Sequence, residues 1–417
     1  MNKIRLIIFA FFLASCLYAQ SNSYSLEDCF PLALSRSEVL ADEQEQVIQA
    51  EERYKQAVAA LFPNVGGVIS HTKQDPSGTI YTDQVNIKLT ATQPLFRGFR
   101  LVGAIKQNES LLKAQKQAKE AAALLIYADV SRSFYLLLYL QRDKQLLEEQ
   151  LSLYDKRLQE LTERYKIGRS RQTEILSFEV SRSQLKTQIA QSQAQIQIAE
   201  NLLSFFTGLA EPIMLKEEEN TASTLKSVND YKKRIKLRPD MQAAEYKIAA
   251  AKTGVEVAAG AMWWPAVDLN GNYYLQHAVP NQSVLWDAQI LFTFPSFINN
   301  PAEFSTNTAL SVQRQYEIAF SLLERKTEED IDDLYNTLES EKAQIQHLEN
   351  AYDFSAKNVK SVIQDYRLGL SNNLDVLQAL NAFIDTRRAL NKVRYAYKTD
   401  FADLAAIVVD VPLKGAK

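Results

Sequence analysis

Hydrophobic and polar positions along this chain follow two periods, and the switch between them happens twice. Over residues 84–93, Val85, Ile87, Leu89 and Ala91 share one face, and Gln84, Asn86, Lys88, Thr90 and Thr92 the other. Residues 267–276 set Val267, Leu269, Tyr273 and Leu275 against Asp268, Asn270, Asn272 and Tyr274. A third segment opposes Trp286, Ala288, Ile290, Phe292 and Phe294 to Asp287, Gln289, Leu291 and Thr293. Alternation with period two predicts half-buried strands. A fourth strand has the weakest pattern, with Gly66 and Gly67 near its start. The expected strands are 64–74, 83–94, 266–277 and 284–295, joined in pairs by polar connections holding Pro76, Gly78 and Pro280.

Between the strand pairs the period changes to seven. Ile331, Leu338, Ile345, Tyr352, Val359 and Tyr366 form one stripe, with Leu334, Leu348 and Val362 beside it. An earlier stripe reads Val130, Leu137, Lys144, Leu151, Leu158 and Tyr165, with one polar break, beside Leu140, Leu147, Tyr154 and Leu161. A third runs through Val376, Phe383, Leu390, Tyr397 and Leu404. Sustained heptads are the mark of coiled-coil packing. The expected helices are 25–61, 99 to the turn at Gly168, and on to 206; then 238–262, 302–367 and 373–408. A helix of roughly 65 residues reaches on the order of 100 Å, which suits a rod or the wall of a tube.

The stripes recur because the chain is written twice. Tyr165 and Tyr366 stand 201 positions apart, as do Gly168 and Gly369, and Pro94 and Pro295. Phe62-Pro63-Asn64-Val65 matches Trp264-Pro265-Ala266-Val267 at 202. Four landmarks keep nearly one spacing, so the helix–strand–strand–helix grammar is a tandem repeat. The expected organisation is a first repeat over 24–210, a polar link over 211–236, a second repeat over 237–410 and a tail over 411–417.

The N-terminus adds an address. Lys3 and Arg5 precede an apolar run from Leu6 to Ala14, too short to span a bilayer and of secretory-signal type. Cleavage after Ala19 is the expected route, giving a leader of 1–19. Leu13-Ala14-Ser15-Cys16 resembles a lipobox, and lipidation at Cys16 would shorten the leader to 1–15. With Cys29 as the other cysteine, neither route leaves an intramolecular disulfide. No later segment reads as an apolar run of the roughly 18 residues a spanning helix needs. If the exported protein enters a membrane, it must do so as strands.

Three features favour membrane strands over a soluble sandwich, which would show the same alternation. The strands have the ~10-residue length of tilted membrane strands. Tyr81, Phe96, Trp263, Trp264, Tyr273, Tyr274 and Trp286 cluster near strand ends, as interfacial girdles do. The third is the export signal. Four strands cannot close a barrel, and open edges cannot face lipid. Several protomers must then share one, and three would supply twelve strands, an even number of the usual kind.

Composition excludes other classes. The net charge of −3 gives nucleic acid nothing to bind, and an apolar fraction of 46% supports a folded chain. No phosphate-binding glycine loop or catalytic constellation is present, so no enzyme activity and no cofactor is expected. His71, His277 and His347 lack metal-ligand spacing, and four methionines do not make a soft-metal relay.

The repeat, its grammar and the turn Tyr366-Arg367-Leu368-Gly369-Leu370-Ser371-Asn372-Asn373-Leu374-Asp375-Val376-Leu377 resemble the TolC-like outer-membrane efflux family over essentially everything after the leader. The resemblance implies a mainly α fold with membrane β: a homotrimer whose twelve strands form a shared barrel in outer-membrane lipid and whose helices form a coiled-coil periplasmic tunnel. It implies a passive exit duct of a tripartite efflux or type I secretion system. That duct works with a periplasmic adaptor and an inner-membrane pump or ABC transporter. The acidic position of the family's Asp-Val-Leu element lines the closed periplasmic entrance, here Asp375 and, one repeat earlier, Glu174. Capping of the return helix is the other reading of Asp375. The next acidic position of some members is Gln378 here and Ser177 in the first copy, so a second acidic tier is not expected. The tips around Gly168, Ser170, Gly369 and Ser371 would meet the adaptor, though turn geometry alone explains the glycines. A trimeric coiled-coil surface fibre and a periplasmic adaptor are the rival readings. The fibre leaves the strand pairs unexplained, and the adaptor needs more strand than this chain offers.

Overall fold

The computed structural model describes residues 23–74, 82–217, 225–276, 284–296 and 298–411. The leader with Cys16, the loops holding Tyr81 and His277, and most of the tail lie outside the described residues. In chain order the elements are α1 (Leu26–Arg36), α2 (Glu38–Ala59), β1 (Asn64–Gln74), β2 (Thr82–Arg97), α3 (Arg100–Lys166) and α4 (Gln172–Thr207). There follow α5 (Val228–Lys232), a 3-10 turn (Ile235–Leu237), α6 (Pro239–Trp263), β3 (Ala266–Gln276), β4 (Trp286–Thr293), α7 (Pro301–Leu368) and α8 (Asn373–Ile407).

The helix–strand–strand–helix grammar holds in both copies, with two departures from the sequence pattern. The leading helix expected over 25–61 is two helices. Ser25 and Asp28 cap α1 reciprocally, and Ser37 then takes an extended backbone (ψ 115°), after which Glu38 opens α2. The link expected over 211–236 contains a short helix: α5 buries Tyr231, and Lys232 meets Asp332 at 2.7 Å.

The expectation that no later segment is apolar enough to span a membrane needs correction. One 18-residue window of α3 reaches a mean hydropathy of 1.4, sufficient by length and composition. More than half of that window, 56%, is buried inside the protein, as in a core helix. Val130, Phe134, Leu137 and Leu138 supply its apolar character and are all buried.

The chain divides into two compact units. One holds the chain up to Ser37, Ala123–Lys232 and the chain from Asp330 onward. Its heptad stripes are core: Val130, Leu137, Ile331 and Leu338 are fully buried. Phe30 of α1 packs edge-on against Tyr127 of α3 at 5.1 Å. Arg388 of α8 donates to both carboxylate oxygens of Asp143 on α3, at 2.8 and 2.9 Å, a fork-on-fork pair with fixed geometry.

The other unit holds Glu38–Ala122 and Lys233–Glu329 and contains the sheet. The four strands pair antiparallel in the order β1-β2-β3-β4. Leu89 faces Tyr273 and Tyr273 faces Trp286, while Thr90 faces Asn272 and Asn272 faces Asp287. The register therefore gathers the apolar alternates on one face and the polar alternates on the other. Pro94, which has no N–H for the ladder, sits at a register shift before Phe96. On the polar face Arg97 meets Asp268 at 2.7 Å, and Asp287 accepts from Asn272 Nδ2 at 2.8 Å and from Tyr274 Oη at 2.7 Å.

The junction of β2 with α3 is tight. Phe96, Phe99 and Trp264 meet edge-to-face at 5.4 to 5.9 Å. A Cβ on Gly260 of α6 would lie 2.4 Å from the backbone oxygen of Gly98. Backbone cannot yield as a flexible side chain can. Gly260→Ala should therefore cost about 1–3 kcal/mol, as overpacking does, measured as a lower midpoint in denaturant unfolding. An unchanged midpoint would show that this junction has slack.

Candidate functional site

Each repeat ends its long helix in a hairpin tip, and both tips are built the same way. α3 stops at Lys166 and α7 at Leu368 because the chain next needs a left-handed residue. Gly168 has φ +75° and Gly369 φ +79°. Gly168 N donates to Tyr165 O at 2.9 Å and Arg169 N to Arg164 O at 2.8 Å. Gly369 N donates to Tyr366 O at 3.2 Å and Leu370 N to Asp365 O at 2.8 Å. This double closure satisfies the last carbonyls of each helix, and glycine adopts it without steric cost.

The return helices begin differently. In α8, Asn372 Oδ1 accepts from Asp375 N at 3.0 Å and Asp375 Oδ2 accepts from Asn372 N at 3.0 Å, a complete capping box. In α4 the cap position is Arg171, whose side chain caps nothing. Glu174 accepts from Ser170 Oγ at 2.7 Å instead. Asp375 and Glu174 are both half-buried, each in the first turn of its helix, where a carboxylate also complements the helix dipole. No hydrogen bond joins them among the described residues. Ser371 Oγ donates to Val362 O at 3.3 Å, and both tip glycines are exposed.

Behind the tips lies a shared core. Leu147, Tyr154, Leu158, Leu161, Phe178 and Leu185 of the first repeat pack with Tyr366, Val376, Leu377 and Leu380 of the second. Sequence reading did not single out the polar residues within it. Arg157 is 6% exposed, and its Nε and Nη2 donate to Asn373 Oδ1 at 3.2 and 3.0 Å. Its guanidinium carbon lies 4.1 Å from the Tyr366 ring centroid, and Nη1 meets Glu160 at 2.8 Å. Arg164 approaches the same ring at 4.9 Å. One α3 arginine thus holds the end of α7 and the start of α8 together. Higher up, the Tyr154 hydroxyl donates to Asn381 Oδ1, and Gln150 Nε2 donates to the Tyr154 hydroxyl at 3.1 Å. Burial pushes the Tyr154 hydroxyl above its ordinary range, so it stays a neutral donor at physiological pH. The available sequence clue was position: Arg157 adjoins Leu158 of the apolar stripe, and Asn358 takes its place one repeat later.

A family model described as outer membrane efflux protein matches residues 30–209 and again 231–408, most of the chain and one match per repeat. The chain belongs to the outer membrane efflux protein family. No curated protein matches. Among solved structures, the outer membrane protein VceC of Vibrio cholerae aligns with a TM-score of 0.80 at 19% identity, over 92% of this chain and 95% of that one. CusC, whose structures concern folding and transmembrane channel formation, aligns at 0.82 and 18%, over 92% and 91%. The MtrE outer membrane channel of Neisseria gonorrhoeae, in its open state, aligns at 0.78 and 18%, over 92% and 88%. At such identities the likeness concerns the fold, which is that of long-helix outer-membrane channels. Family membership places the protein in the outer membrane as an efflux duct, and the fibre and adaptor readings fall away.

Proposed function

We propose that three copies of this chain join their sheets into one twelve-stranded barrel and form a passive exit duct. It conducts substrate outward when its helix tips dock a periplasmic adaptor that couples it to an inner-membrane pump or ABC transporter. One observation carries the reading: among the described residues the sheet has four strands, with β1 and β4 as its edges, and its apolar face is exposed. Ile69, Leu275, Trp286 and Phe292 on that face are each more than half exposed. Lipid would cover such a face but could not solvate the two edges, which further copies would pair. Energy for transport comes from the inner-membrane component, and no chemical step is assigned to this chain.

In the trimer, Asp375 and Glu174 would each recur three times about one axis at the periplasmic entrance. Acidic rings in a narrow pore favour cations. The capping box and the ring are compatible, because capping engages one oxygen of Asp375. The exposed turns at Gly168 and Gly369, with Ser170 and Ser371, offer the surface the adaptor would meet.

Native mass spectrometry of protein extracted from membranes with detergent should give a trimer, and its denatured mass reads the state of Cys16. A soluble monomer needing no detergent would end the barrel reading. In planar bilayers, the double variant Asp375→Asn, Glu174→Gln should lower the cation preference by about tenfold, the scale on which one-sign clefts concentrate counter-ions. Unchanged selectivity would remove these residues from the pore.

A further inference from the structure

The repeat supplies its own control for one unusual feature of the α7–α8 seam. Stepping back 201 positions from Glu341 gives Leu140, and from Asp400 gives Ala199. Both are buried, 8% and 2% exposed, so the first copy fills this level of its seam with apolar side chains. The second copy puts carboxylates there. Glu341 is 9% exposed, and its Oε2 has no hydrogen-bond partner among the described residues. Across the seam Arg394 meets Glu349 at 2.7 Å and Tyr352 stacks on Phe383, an antiparallel register that brings Asp400 of α8 to the level of Glu341. Three residues on, Asp403 accepts from Arg132 Nε of α3 at 2.9 Å, while its Oδ1 is buried without a partner. A lone buried carboxylate is costly to keep charged and holds its proton instead.

Among the described residues, the charged and titratable groups that act on one another near this level come from four elements, besides Lys398 of α8, which Glu217 holds at 2.7 Å. α8 supplies Asp400, Asp403 and Tyr397; α3 supplies Arg132 and Asp129. α5 supplies Tyr231, beside Tyr335 and Tyr397. α7 itself adds Tyr335, Glu339 and Asp332, the last held by Lys232. Arg132 is engaged by Asp403 and also acts on Asp400, and among the described residues no lysine or arginine forms an ion pair with Glu341. Burial first, and the Asp400 charge second, push the Glu341 carboxyl up to about 7. Asp400 is raised as well, by burial first and then by Asp403.

We propose that Glu341, facing Asp400 across the α7–α8 seam, is a proton-binding site that ties the two helices together when occupied and loosens them when the proton leaves. A carboxyl raised in the folded state leaves the seam at full strength below its ordinary value of 4.5, and that strength is lost as pH rises through about 7. The start of α8 carries Asp375, so proton occupancy also sets how freely the proposed entrance moves. That consequence rests on the channel reading, and the proton site itself does not.

Amide hydrogen exchange on the full-length protein in detergent tests the site at about pH 5.5 and about pH 8.5, corrected for intrinsic exchange. Peptides around Glu341 and Asp400 should open at least about fivefold more often at the higher pH, whereas peptides around Leu140 and Ala199 should not change. Glu341→Leu, which restores the first copy's residue, should abolish the pH dependence, and so should Glu341→Gln, which keeps the shape if the leucine variant misfolds. Asp400→Ala should keep the dependence and move it to lower pH. A seam insensitive to pH in the wild type, or equally sensitive in Glu341→Gln, overturns the proposal. Bilayer conductance recorded on the same samples keeps the readings separate. Normal conductance with a pH-insensitive seam refutes only the proton site, and absent conductance with a pH-sensitive seam refutes only the channel.

Discussion

Arg157→Ala is expected to raise the open fraction of the channel by about tenfold or more. A motion that draws the start of α8 away from α3 must break both bonds from Arg157 to Asn373 and lift its guanidinium off Tyr366. Hydrogen bonds to a charged group contribute about 1.5–3 kcal/mol net, and a desolvated cation–π contact up to about 2 kcal/mol. These contacts reinforce one another and do not simply add, but about 1.4 kcal/mol of differential loss already gives a tenfold shift. Single-channel recording in planar bilayers measures the open fraction directly. Arg157→Lys, which keeps the charge but loses the planar fork, should fall between wild type and alanine. If alanine leaves the open fraction where it was, Arg157 does not restrain the proposed entrance and serves packing alone.

Phe178→Ala carries the largest expected loss of stability. Phe178 is fully buried, edge-on to Tyr154 at 5.5 Å, in the core shared by the two repeats. Removing a buried phenylalanine ring costs about 3–5 kcal/mol, because the transfer term and the cavity left behind act together. Denaturant unfolding of the detergent-solubilised protein should show a lower midpoint with an unchanged slope. The neighbouring Leu176, 55% exposed, is the control, and its alanine variant should shift stability by less than about 0.5 kcal/mol. Equal effects at both positions would mean that Phe178 is not the centre of this core.

Particular residues show where sequence sufficed. Alternation such as Val85, Ile87 and Leu89 told strand from helix because a one-residue slip would turn every apolar side chain to the wrong face. Gly168 and Gly369 were legible as turns because left-handed backbone selects glycine on local grounds. The break at Ser37 was not legible: no glycine or proline marks it, and Ser37 and Glu38 belong to different compact units. The apolar window of α3 misled in another way. Burial inside protein and burial in lipid ask for the same side chains, so composition alone does not separate them. Arg157 and its pairing with Asn373 were missed because hydropathy ranks a polar residue as solvent-facing. Only three-dimensional packing shows that the two bury each other.

The unequal starts of the return helices have a further consequence. An N-cap side chain contributes about 1 kcal/mol, so the first turn of α4, whose cap position is Arg171, should fray several times more often than that of α8, where Asn372 and Asp375 lock each other. Each chain of the proposed trimer would then present one stiffer tip and one softer tip. A partner gripping both would gain affinity mainly from the stiff tip. At the soft one, part of its binding energy would go into winding a helical turn.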